Sequence, residues 1–87
     1  MSPTITVQLR FFASLREALG PQAELQLPQG ATVADARRLL QARGAPFEAA
    51  LAPGRALRAA LNQTVCEPAA TLADGDELAF FPPVTGG

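Results

Sequence analysis

The residues with the clearest chemical meaning stand at the end of the chain. Gly86 and Gly87 carry no side chains, so their backbone can thread a channel too narrow for any other residue pair. Pro82 and Pro83 stiffen the segment that leads to them and reduce the entropy lost when it docks. Extended, the stretch from Pro82 to Gly87 spans roughly 20 Å. This pattern suits a terminal carboxylate that is inserted into the active site of another protein. A Gly-Gly end alone also describes a frayed terminus. The preceding Phe80-Phe81-Pro82-Pro83 makes the combination far more specific.

The rest of the composition offers little chemistry of its own. With 0 His there is no imidazole base, no Ser-His triad and no histidine metal ligand. All 7 basic residues are Arg, which excludes a Schiff-base or P-loop lysine. The 1 Cys, Cys66, can form neither an internal disulfide nor a cysteine-only zinc site. We read it as a small strand residue, because no His or Lys is present to lower its pKa. Asp74, Asp76 and Glu77 fail the EF-hand spacing and read as turn formers, so no metal site is expected. Net charge is −1 and no basic run occurs, so nucleic-acid binding is not expected. Neither a signal peptide nor a long apolar run is evident, and the expectation is a cytoplasmic protein without a membrane segment.

The elements that must position the tail follow from periodicity. Residues 4–12 alternate, with Ile5, Val7, Leu9 and Phe11 on one face of a strand. Ser14-Leu-Arg-Glu17 has capping-box spacing and predicts a short helix over about 14–19, stopped by Gly20-Pro21. A second strand runs from Ala23 to Leu27, antiparallel to the first. Thr32 and Asp35 repeat the capping logic ahead of the main helix. In it Val33, Ala36, Leu39 and Leu40 form the apolar stripe, while Arg37, Arg38 and Gln41 face water. Residues 45–56 read as a loop, with one helical turn at 48–51. Short strands at 56–61 and 64–67 flank a tight reversal at Asn62-Gln63. Asp74-Gly75-Asp76 turns into the last strand, Glu77 to Phe81, and Pro82-Pro83 stops its pairing.

The order predicts an α+β fold, an approximately five-stranded sheet packed on one main helix with a short helix besides. The most apolar strands, the first and the last, belong in the middle. The domain covers residues 1–81 and the tail residues 82–87.

Phe12 and Phe81 are out of phase with the core faces of their strands. If those strands are neighbours, the two rings share the exposed side of the sheet and mark a docking patch rather than two isolated surface aromatics. Arg16, on the short helix, is a candidate rim contact, set against the plain reading of a solvated arginine.

The stretch Asp74 to Gly87, DGDELAFFPPVTGG, resembles the end of the family of molybdopterin synthase small subunits, the sulfur carriers of molybdenum cofactor synthesis. Leu61-Asn-Gln-Thr-Val65 and Arg10-Phe-Phe-Ala-Ser-Leu-Arg-Glu17 carry the resemblance across nearly the whole chain, with the 44–56 loop least similar. The resemblance implies a mixed sheet in the β-grasp, or ubiquitin-like, fold. It implies that Gly87 is adenylated by a ubiquitin-activating-like enzyme using ATP, converted to a thiocarboxylate, and used to donate sulfur to a cyclic pterin. It also implies that Pro83, Val84, Thr85 and Gly86 enter a large subunit, in a heterotetramer of two small and two large chains. No cofactor would be held stably, apart from covalent sulfur at Gly87. A carrier serving thiamine or another thio-metabolite, a ubiquitin-like modifier joined through Gly87, and a passive binding domain remain as alternatives.

Overall fold

The computed structural model describes residues 3–83. Its elements are β1 (Thr4–Phe11), α1 (Ser14–Leu19), β2 (Gln22–Pro28), α2 (Val33–Gln41), α3 (Phe47–Ala50), β3 (Arg58–Leu61), β4 (Thr64–Cys66) and β5 (Glu77–Phe81). The five strands form one mixed sheet in the order β2-β1-β5-β3-β4. β1 pairs antiparallel with β2 and parallel with β5, and β3 pairs antiparallel with both β5 and β4. The first and last strands are therefore neighbours inside the sheet, as their apolar character predicts. This is the β-grasp arrangement: a mixed sheet folded around one principal helix. None of the helices among the described residues is long and apolar enough to cross a membrane.

The alternation in β1 sends Val7, Leu9 and Phe11 into the core, where they meet Leu78 and Phe80 of β5 and Leu40 of α2. α2 begins as its sequence requires. Asp35 N–H donates to the Thr32 hydroxyl, and Thr32 N–H donates to the Asp35 carboxylate at 2.9 Å, closing the capping box. The apolar stripe is narrower than expected. Val33, Ala36 and Leu40 are buried, but Leu39 is 41% exposed. Arg37 and Gln41 also do not simply face water. The Arg37 guanidinium donates to the carbonyls of Leu51, Ala52 and Arg55 at 2.5–2.9 Å, and Gln41 Nε2 donates to Leu51 O at 2.7 Å. Together they strap the α3–β3 connection against α2. Burial pulls the Arg37 guanidinium down from its usual range.

The predicted cap of α1 is not formed. Ser14 is the first helical residue, and Ala13 occupies the cap position without a side-chain bond. Ala13 has φ 54 and ψ −131, and Leu15 N–H donates to Phe12 O at 3.2 Å. The chain thus enters α1 through a turn whose leading central residue has positive φ, a geometry normally given to glycine. The reversals further on match expectation. Asn62 and Gln63 both have positive φ (50 and 71), the signature of a two-residue hairpin turn. Asp74 accepts the Thr6 amide at 2.8 Å and Asp76 accepts the Ala73 amide at 2.7 Å, so both carboxylates organise the turn before β5.

Two stability outcomes follow. A non-glycine residue in such a backbone region costs on the order of 1–3 kcal/mol, whereas glycine adds about 0.5–1 kcal/mol of chain entropy to the unfolded state. Ala13→Gly should therefore stabilise by about 1 kcal/mol, measured by denaturant unfolding. The second concerns acid. The Thr32 amide, then its hydroxyl and the Arg38 guanidinium, hold the Asp35 carboxyl below the usual carboxylate value. A depressed folded pKa contributes stability that is present above the unfolded value, about 3.9, and is lost as pH falls through the folded one. The stability gap between the native chain and Asp35→Asn should be full at pH 6 and shrink below about pH 4.

Candidate functional site

β5 sorts its side chains by alternation. Leu78 and Phe80 are buried, while Ala79 and Phe81 face the other side of the sheet and are half-buried. β1 reaches the same level on the adjacent strand, with Phe11 opposite Phe80 in the parallel register. Phe12 N–H donates to Phe80 O at 3.3 Å, which pins the backbone where β1 gives way to the turn. Phe12, 46% exposed, therefore lies beside Phe81 on the outer face. The two rings line one depression of about 230 Å³, together with Arg10, Ala60, Gln63, Glu77 and Ala79. Val65, opposite Ala60 in the β3–β4 register and 60% exposed, does not line this depression.

Ala60 and Ala79 leave the middle of this face low, so the larger Phe12 and Phe81 border a shallow seat. An outward apolar area of this kind is a candidate docking surface. β5 ends at Phe81, and Pro82 and Pro83 follow as half-buried residues without regular structure. The seat thus sits at the root of the C-terminal segment. Val84, Thr85, Gly86 and Gly87, the chemical end of the chain in the sequence reading, lie outside the described residues.

Arg16 is exposed on α1 but does not line the depression, and the arginine that does is Arg10. Alternation puts Arg10 on the polar face, two residues before Phe12, but by itself gives it no role there. Ala60 carried no such signal, because its placement depends on how β3 and β5 are registered.

A larger groove, about 520 Å³, opens on the other side, between α2 and the β3–β4 hairpin. Cys66 lies in it, half-buried, with its thiol pushed up mainly by burial and therefore kept protonated. Among the described residues no group of three or more His, Cys, Asp or Glu could hold a metal ion.

The sequence model of the ThiS family matches residues 9–87. The chain belongs to the ThiS family. A relative in Escherichia coli, the molybdopterin synthase sulfur carrier subunit, is 42% identical over 93% of this chain and 99% of its own length. Among solved structures, small archaeal modifier protein 1 of Haloferax volcanii superposes with a TM-score of 0.76 at 27% identity, covering 92% of this chain and 99% of that one. A complex of subunits 1 and 2 of the molybdopterin-converting factor from Helicobacter pylori contains a chain that matches with a TM-score of 0.61 at 25% identity, covering 95% of this chain and all of that one (100%).

The ThiS-family chain makes a sharp distinction between neighbouring residues of one strand. Phe80→Ala should cost about 3–5 kcal/mol in unfolding free energy, as for any large buried aromatic. Phe81→Ala, one residue on but on the outer face, should cost about 1 kcal/mol or less. Equal losses at the two positions would show that Phe81 belongs to the core.

Proposed function

We propose that this chain is the sulfur-carrier subunit of a molybdopterin synthase. The observation that carries the proposal is the apolar seat of Phe12 and Phe81 at the root of a segment ending in Gly86-Gly87. The name of the Escherichia coli relative and the two-subunit Helicobacter pylori complex support it.

Chemistry explains the sequence of steps. The α-carboxyl of Gly87 has an ordinary pKa of about 3.3–3.7, so near neutrality it is an anion that resists nucleophilic attack. A partner adenylating enzyme activates it: a carboxylate oxygen attacks the α-phosphorus of ATP and pyrophosphate leaves. A sulfur nucleophile then adds to the acyl-adenylate carbonyl and AMP departs, leaving the thiocarboxylate. Sulfur is the softer and stronger nucleophile, so the thiocarboxylate can donate it to the cyclic pterin precursor, and hydrolysis of the remaining acyl group restores the carboxylate. None of these steps asks for a His, Lys or Cys of this chain. The protein presents the carboxylate, the partners supply catalytic groups and ATP, and no stably bound cofactor is needed.

In the second of these encounters the large subunit seats on Phe12, Ala79 and Phe81 while Pro83 to Gly86 enter its active site. Two small and two large chains would make up the assembly, in the cytoplasm. The superposition on small archaeal modifier protein 1 favours one other reading, a protein modifier joined through Gly87 to other chains. Both readings share the adenylation step. Incubation with a matching adenylating enzyme and ATP should give pyrophosphate exchange that disappears when Gly87 is deleted. Intact mass of the chain from its own cells should then show one terminal oxygen replaced by sulfur. Conjugates through Gly87 without any such thiocarboxylate would favour the modifier.

A further inference from the structure

We propose that Arg10 sets the specificity of the outer-face docking site, and that the partner seated on Phe12 and Phe81 presents a carboxylate to it. The inference rests on the reading of that face as the large-subunit interface. Arg10 projects from β1 on the same side as Phe12, and the depression between them is also lined by Glu77. Its Nη1 donates to Glu77 Oε1 at 3.4 Å, the only hydrogen bond that its guanidinium makes among the described residues. The side chains are 48% and 34% exposed, so in the free chain the other guanidinium donors are hydrated.

Docking changes that balance. A partner that covers Phe12, Ala79 and Phe81 removes the water from Arg10, and one long contact to Glu77 cannot replace it. A desolvated charge with unpaired donors is costly. A carboxylate accepts two guanidinium N–H bonds side by side, which a single carbonyl does not. A basic group offered to Glu77 instead would stand next to Arg10 and be repelled. The complementary surface is therefore apolar with an acidic residue at the Arg10 side. Such a device discriminates against partners that match the apolar seat alone.

The test is a titration of the molybdopterin synthase large subunit from the same source with the native chain and four variants, at low and high salt. Arg10→Gln should fold normally, since an exposed ion pair contributes little. It should bind on the order of tenfold more weakly at low salt, and its affinity should vary less with salt than that of the native chain. Arg10→Lys should keep the salt dependence. Arg55→Gln, an equal change of net charge on the α3–β3 connection and outside the depression, should match the native chain. Phe81→Ala should weaken binding at every salt concentration. If Arg10→Gln behaves like Arg55→Gln while Phe81→Ala still loses affinity, no carboxylate meets Arg10 and the inference is overturned, with the docking reading intact. If Phe81→Ala binds like the native chain, the docking reading fails, and the inference with it.

Discussion

The parallel ladder between β1 and β5 is the constraint on which the rest of the molecule depends. It joins the two ends of the chain, matching Gln8 with Glu77 and running to Phe11 with Phe80. Parallel neighbours cannot be joined by a tight turn, so everything between them must be spent on a crossover. Here that crossover contains β2, α2 and the β3–β4 hairpin, and it brings α2 over one face of the sheet. The inward side chains of the ladder, Leu9, Phe11, Leu78 and Phe80, are at most 2% exposed. The ladder therefore forms the centre of the core and also brings Phe12 next to Phe81 on the opposite face. A shift of either strand by one residue would exchange the two faces.

Much of this was legible because it is local. Period-2 alternation identified β1 and β5, and turn chemistry placed Asn62-Gln63 and Asp74-Gly75-Asp76. The failures were equally physical. Thr32-x-x-Asp35 and Ser14-x-x-Glu17 have the same spacing, yet only the former becomes a capping box. At Ser14 the strained turn at Ala13 starts the helix one residue earlier than the cap would require, so Ser14 has already entered it. Arg37 looked solvated because its acceptors, the carbonyls of Leu51, Ala52 and Arg55, belong to a connection that no helical periodicity reveals. Leu39 looked buried because hydrophobicity alone cannot say how wide a stripe a nine-residue helix turns inward.

The same contrast holds for the outer face. Phe12 and Phe81 announced themselves by breaking the alternation of their own strands. Arg10 obeys the alternation: the rule that sends Leu9 and Phe11 inward sends Arg10 outward beside Phe12, which marks a polar face and no more. Ala60 needed knowledge of pairing between strands, which spacing along one chain does not contain.

A division of labour between the two faces of the sheet follows. The inner face holds the fold together through contacts that tolerate no polar group; among the described residues no buried side chain is polar or charged. The outer face is free of that requirement, and it holds the exposed Phe12 ring, the half-buried Phe81 ring and the Arg10–Glu77 pair. β5 serves both, since Phe80 is committed to the core and Phe81 is not. Pro82 then stops the ladder one residue later, because it has no N–H to give. If the strand continued, the next residues would be drawn into pairing with β1 or β3 and the C-terminal segment would be shortened. Ending the sheet at Phe81 fixes the outer-face depression to the core through the strand that also carries Phe80.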